Sequence, residues 1–208
     1  MAKPDDLLAV YTALRQAAPD LPLAQSASDI VPGEGSPDAE IVFIGEAPGE
    51  EEARLKRPFV GRSGQLFRRT LEAQDFKPED TYITNIVKVR PPGNRDPLPE
   101  EIAAYKPYLD QEIQILEPLL IVTLGRYSMA KFLPDVKISQ VHGRLHKVIW
   151  NGRTQFILPM YHPAAALRAT NVKTAFEADF KKIKKVITWI QEQKFTEHVK
   201  ENIVEAIF

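Results

Sequence analysis

The stretch Ile41–Gly64, IVFIGEAPGEEEARLKRPFVGRSG, decides the fold expected for this chain. Its first four residues, Ile41–Ile44, are apolar and predict a buried strand, which ends abruptly in the loop Gly45–Gly49. Three glutamates, Glu50–Glu52, follow at the rim of this loop, and Phe59 then brings an aromatic ring back before a helix begins. Open α/β sheets bind ligands at the carboxyl ends of their strands. The stretch therefore predicts a sheet with a ligand site at its edge.

Composition predicts one soluble globular domain over residues 1–208, with a helical tail from about Thr196. The 208 residues are 44% hydrophobic and 26% charged, with a net charge of -1, so any nucleic-acid contact has to come from a local basic surface. There is no apolar run long enough for a membrane span and no secretory leader, which indicates a cytoplasmic protein. Because the chain has no cysteine, disulfides, thiolate metal sites and cysteine-ligated iron–sulfur clusters are excluded.

Strands and helices alternate along the sequence, which predicts a parallel sheet covered by helices on both faces. The predicted strands are Glu40–Ile44, Tyr82–Val87, Leu119–Leu124 and Ile157–Met160, with a hairpin at Val148–Phe156 that turns at Asn151 and Gly152. The predicted helices are Asp5–Ala17, Ser63–Ala73, Pro99–Pro118, Tyr127–Leu133 and a long one over Phe176–Ile190, and Ala24–Asp38 is predicted as loop. Three strand ends, near Gly45, Val87 and Met160, release polar loops that are expected to converge.

The first loop, Gly45–Gly49, matches neither a Walker loop nor a dinucleotide fingerprint, so it is either a plain turn or a binding loop. The adjacent acids and Phe59 favour the binding loop. Asn85 lies in an apolar strand, where an amide is costly unless it is paired. It either fixes a neighbouring loop or presents a donor and an acceptor to a ligand, and an amide matches the edge of a pyrimidine.

The second loop combines cations with prolines. Lys88, Arg90 and Arg95 are either solvated charges or phosphate contacts, and the stiffness of the loop favours the second interpretation. In the third loop, His162 directly follows a strand, so it is either a structural histidine or a hydrogen-bond donor or acid. The lysines between Lys181 and Lys185 predict the wet face of a helix, whereas the other histidines have no metal-ligand spacing.

Together these motifs are similar to those of the family 4 uracil-DNA glycosylases, over roughly Gly33–Arg168. The resemblance implies a three-layer α/β/α sandwich around a central four-stranded parallel sheet. It rests on five segments: Gly45 to Glu52, Arg57-Pro58-Phe59-Val60-Gly61, Thr84-Asn85-Ile86-Val87-Lys88, Arg90-Pro91-Pro92-Gly93-Asn94-Arg95, and His162-Pro163 with Leu167-Arg168.

The resemblance implies a monofunctional enzyme that flips deoxyuridine out of DNA, hydrolyses its N-glycosidic bond and leaves an abasic site. Uracil would stack on Phe59, Asn85 would read its edge, and His162 would donate a hydrogen bond to its O2. The implied pocket loop contains Glu46, Ala47 and Gly49. The last two stand where family 1 enzymes have an aspartate and a tyrosine, so water positioning is assigned to Glu52 and Asn94. DNA contacts are assigned to Lys88, Arg90, Arg95, Ala166, Leu167 and Arg168.

One departure from the family concerns its 4Fe–4S cluster, whose four cysteines correspond to Ala18, Leu21, Val89 and Tyr105. None of these side chains ligates iron, so no metal and no cofactor are predicted. We expect their packing to replace the cluster in fixing the N-terminal segment and the Arg90–Arg95 loop. The family's acid after the glutamates is also missing, because this position is Ala53.

The predicted partner is uracil-containing DNA, single- or double-stranded, bound by a monomer that contacts no membrane. Two alternatives stay open. A catalytically silent binding protein would keep the groove without the reaction, and a glycosylase for another deaminated base, such as hypoxanthine, would differ in its pocket.

Overall fold

The computed structural model describes residues 2–193, along which helices and strands alternate. The helices are α1 (Lys3–Ala17), α2 (Glu50–Leu55), α3 (Arg62–Glu72), α4 (Pro99–Leu116), α5 (Arg126–Ala130), α6 (Ile138–Val141), α7 (Pro163–Ala166) and α8 (Thr170–Phe180), and a further helical stretch covers residues 183–193. The strands are β1 (Glu34–Gly35), β2 (Ile41–Gly45), β3 (Thr81–Asn85), β4 (Leu120–Leu124), β5 (His146–Trp150) and β6 (Arg153–Met160). None of the helices described in this part of the chain has the length and apolar character needed to cross a bilayer.

The six strands form one sheet in the order β1-β3-β2-β4-β6-β5. The central four strands are parallel, which confirms the predicted core of the sheet, while β1 and β5 add an antiparallel strand at each edge. Gly45 at the end of β2 pairs with Asn85 at the end of β3, and Leu124 pairs with Met160 at the ends of β4 and β6. All four carboxyl ends therefore lie at one edge of the sheet.

Helices cover both faces of the sheet because the central strands are apolar on both sides. In β2, Ile41 and Phe43 pack with residues of α3 and α8, whereas Val42 and Ile44 pack against residues of α1 and α4. This alternation gives the predicted three layers.

Several predicted boundaries were wrong. The segment predicted as loop contains β1, because its short edge strand has too little periodicity to be seen in the sequence. β3 ends at Asn85 and not at Val87. The second arm of the hairpin and the last apolar strand are one strand, β6. The long C-terminal helix is interrupted by a turn at residues 181–182, and the predicted tail from Thr196 lies outside the described residues.

Candidate active site

The carboxyl ends of the parallel strands open into a cleft of about 700 Å³. The three loops that were expected to converge all contribute to its wall. Ten of the residues assigned to the site from sequence line the cleft: Glu46, Ala47, Gly49, Glu52, Phe59, Asn85, Asn94, Arg95, His162 and Arg168. The structure thus brings these side chains together, and their individual roles stay predictions.

The amide of Asn85 and the ring of Phe59 meet above Gly45. A Cβ atom at Gly45 would lie 2.3 Å from Asn85 Oδ1 and 2.5 Å from Phe59 Cζ, so this close approach requires glycine. Asn85 is 4% exposed, and among the hydrogen bonds of residues 2–193 its side-chain amide has no protein partner. The residue lines the cleft, so both the donor and the acceptor of this amide are available to a ligand.

Phe59 has a left-handed backbone, with φ +54°, which costs a non-glycine residue about 1–3 kcal/mol. Glu52 stabilises this conformation, since its Oε1 accepts hydrogen bonds from the backbone N–H groups of Val60 at 2.8 Å and Gly61 at 2.7 Å. Glu52 is buried on α2, so the expectation that all three glutamates lie at the rim was wrong. The Phe59 ring packs on Phe67, with centroids 4.9 Å apart.

His162 faces the same part of the cleft, with its ring centroid 5.9 Å from that of Phe59. Burial and, to a smaller extent, the charge of Arg168 together lower its pKa to about 4. The imidazole is therefore neutral at pH 7. The backbone N–H of Ala164 donates a hydrogen bond to His162 Nδ1 at 3.2 Å, which places the ring proton on Nε2. His162 thus presents an N–H donor and not a positive charge.

The carboxyl group of Glu46 ionises less readily than an exposed glutamate. Burial and the neighbouring charge of Asp96 raise its pKa, the charge of Arg126 partly opposes them, and the resulting pKa is about 7. Both neighbours line the cleft, but the sequence reasoning missed them. For Arg126 a signal existed, because Gly125 and Arg126 follow the apolar strand β4 in the same way that Gly45 and Glu46 follow β2.

The proline-rich loop is held by two arginines. Arg90 Nε donates to Asn94 Oδ1 at 2.7 Å, and Arg95 forms two hydrogen bonds to Glu101, at 2.9 and 2.5 Å. The Arg95 side chain keeps 40% of its surface exposed and lines the cleft. Arg90 lies outside the cleft lining, so its contact with the site runs through Asn94.

Two of the DNA contacts expected from sequence were wrong. Lys88 is fully buried and forms an ion pair with Glu112 and a hydrogen bond with Thr84, so it cannot reach a phosphate. Ala166 is also buried, at 3% exposure, because it lies on the inner face of the short helix α7. Leu167 beside it is 46% exposed.

The positions of the family's cluster cysteines come together in an apolar cluster. Ala18, Val89 and Tyr105 are buried in it, and Leu21 packs against them. The hydroxyl of Tyr105 donates to the carbonyl of Pro22 at 2.7 Å, which ties α4 to the N-terminal segment. These side chains do not fit an iron–sulfur cluster. Within residues 2–193 there is also no group of three or more His, Asp or Glu side chains that could hold a metal ion.

Comparisons with known proteins point to one family. Residues 32–187 match the family model of the uracil DNA glycosylase superfamily. The type-4 uracil-DNA glycosylase of Sulfurisphaera tokodaii is 44% identical over 170 residues, which cover 79% of this chain and 77% of that protein. The enzyme of the same name from Saccharolobus solfataricus is 43% identical, covering 76% of each chain. The one from Archaeoglobus fulgidus is 41% identical, covering 77% of this chain and 83% of the relative.

Proposed function

The chain belongs to the uracil DNA glycosylase superfamily, and we propose that it hydrolyses the N-glycosidic bond of deoxyuridine in DNA, leaving an abasic site. The observation that carries this proposal is the amide of Asn85, which has no protein hydrogen-bond partner within residues 2–193 and lines the cleft with Phe59 and His162. A pyrimidine edge provides the acceptor and the donor that this amide lacks. A DNA base reaches such a cleft only by leaving the helix, so the reaction requires base flipping.

Uracil is held by its edge and by one face. The Asn85 amide reads the edge, and the Phe59 ring, fixed by its rigid backbone, offers a stacking surface. The loop residues Glu46, Ala47 and Gly49 close the pocket around the base. Because these contacts exist before the base arrives, little ordering has to accompany binding.

His162 stabilises the leaving base. When the bond between C1′ and N1 breaks, its electron pair passes to uracil, and negative charge develops on O2. The neutral His162 donates a hydrogen bond from Nε2 to this oxygen in a site that excludes bulk water. Burying a protonated imidazole costs the hydration free energy of its charge, and the neutral donor avoids this cost.

Water completes the hydrolysis at C1′ of the cationic sugar, and its proton is lost to solvent or to an acceptor. Glu52 and Asn94 are the proposed water-positioning residues. Glu52 Oε1 is occupied by two backbone amides, so its second oxygen is the one available. Asn94 uses its carbonyl oxygen for Arg90, which leaves its NH2 group free to contact water.

DNA binds in this proposal through Arg95 and Arg168 at the cleft, with Arg90 behind them and Leu167 exposed beside the flipped nucleotide. The substrate is uracil-containing DNA, single- or double-stranded. We also propose that the protein is a single-domain monomer, that it acts in the cytoplasm and that it uses no cofactor.

The test is excision of uracil from a labelled single strand and from U·G and U·A duplexes. The wild-type protein is compared with Asn85→Ala and His162→Ala, and the exposed Gln114→Ala on α4 is the matched control. We expect wild type and control to form abasic product and both cleft variants to lose about 100-fold or more in rate.

Each contrary outcome has a definite meaning. DNA binding by wild type without abasic product would establish a silent binding protein and refute the proposal. Faster excision of hypoxanthine than of uracil would keep the reaction type but change the substrate. Full activity of both cleft variants would refute the roles of Asn85 and His162.

A further inference from the structure

The backbone around Phe59 is held from two sides. Its left-handed φ of +54° is a conformation that phenylalanine rarely adopts, so it persists only where neighbouring groups enforce it. Glu52 holds the N–H groups that follow Phe59. The carbonyl oxygens of Pro58 and Phe59 are not bonded by Glu52, because a carboxylate only accepts hydrogen bonds, so they need a separate donor.

Arg68 on α3 is that donor. Its Nε donates to the Phe59 carbonyl at 2.9 Å, and a terminal nitrogen donates to the Pro58 carbonyl at 2.8 Å. The first turn of α3 touches the same backbone, because a Cβ at Gly64 would lie 2.1 Å from the Phe59 carbonyl carbon. The guanidinium therefore fixes a peptide that is already in close contact with its own helix.

Arg68 is oriented by Glu34. A terminal nitrogen of Arg68 lies 3.1 Å from Glu34 Oε1, and the same carboxylate accepts two hydrogen bonds from Arg57, at 2.7 and 2.8 Å. Glu34 belongs to β1 and pairs with Ile83 of β3. Two residues further along β3 is Asn85, whose side chain meets the Phe59 ring above Gly45.

We propose that Arg68, oriented by Glu34, is a positioning residue that fixes the Phe59 backbone and thereby the orientation of the Phe59 ring toward the base. This inference rests on the proposed function. Arg68 is not among the described residues that line the cleft, so it acts through Phe59 and not by touching the substrate. Its side chain is 29% exposed, which leaves room to replace it without opening the core.

The first test is a double-mutant cycle in steady-state uracil excision, measured as kcat/KM. Arg68→Met removes the donors and keeps the stem, Arg68→Lys restores one donor, and Arg69→Met changes an exposed arginine on the same helix. We expect kcat/KM to fall about tenfold in Arg68→Met, to recover in part in Arg68→Lys and to stay within about twofold in Arg69→Met. In a Phe59→Leu background, Arg68→Met is expected to change kcat/KM by less than about twofold, because the two residues act in series.

The second test does not depend on activity. Amide hydrogen exchange of residues 59–61, followed by mass spectrometry, is expected to accelerate in Arg68→Met and to stay at the wild-type rate in Arg69→Met. Equal excision rates in Arg68→Met and Arg69→Met would overturn the proposal, as would an undiminished tenfold loss in the Phe59→Leu background. If wild type excised no uracil, the proposed function would fail, whereas unchanged exchange in Arg68→Met would overturn the positioning role of Arg68 separately.

Discussion

The raised pKa of Glu46 makes the stability of this protein depend on pH in a predictable direction. The pKa of about 7 in the folded protein compares with an ordinary value of 4.5. Between these values the folded state holds a proton that the unfolded state has released, so the free energy of unfolding falls as pH rises from 4.5 to 7. At 1.36 kcal/mol per pKa unit, the full effect is about 3 kcal/mol. Because Glu46 is only half-buried, screening by solvent reduces it to roughly 1–2 kcal/mol.

Glu46→Gln removes the ionisation and should therefore stabilise the protein at pH 8 but not at pH 4. For a chain of this size, roughly 1–2 kcal/mol corresponds to an increase in Tm of about 2–8 °C. Thermal unfolding at both pH values measures the difference, with the exposed Glu50→Gln as the control. A gain in Tm for Glu46→Gln that is equal at pH 4 and pH 8 would refute the reasoning, because it would show that ionisation contributes nothing.

Three further predictions follow from the buried groups. Since the pKa of His162 is about 4, the pH profile of excision should show no titration of this group between about pH 6 and 9; a step that His162→Ala abolishes in that range would contradict a neutral donor. Tyr105→Phe loses the hydrogen bond to Pro22 and should cost about 1 kcal/mol in urea unfolding, whereas an unchanged midpoint would show that the bond is immaterial. Lys88→Met removes the cation that pairs with the buried Glu112 carboxylate and should lower stability by about 3–5 kcal/mol. The salt dependence of DNA binding should stay unchanged in that variant, and a reduced slope would restore Lys88 as a phosphate contact.

The parallel core of the sheet and the place of the cleft could be predicted from sequence because both are local patterns. Apolar runs such as Ile41–Ile44 specify buried strands, and the glycines and polar residues that follow them specify loops. Once the strands are parallel, their carboxyl ends must share an edge. Two of the four substituted cysteine positions, Val89 and Tyr105, could be located from neighbouring motifs, whereas Ala18 and Leu21 were placed by an ungapped count along the chain.

The sequence did not determine whether a polar side chain is buried or faces the cleft when its partner is distant in the chain. Lys88 looked like a phosphate contact, but Glu112, which lies 24 residues away, draws it into the interior. Glu34 and Arg68, 34 residues apart, showed no sign of a common role. Sequence alone thus determined the four central parallel strands, the loops that follow them and the edge at which those loops meet. Only the tertiary structure decided which charges face the cleft, because burying a charge depends on partners that folding brings together.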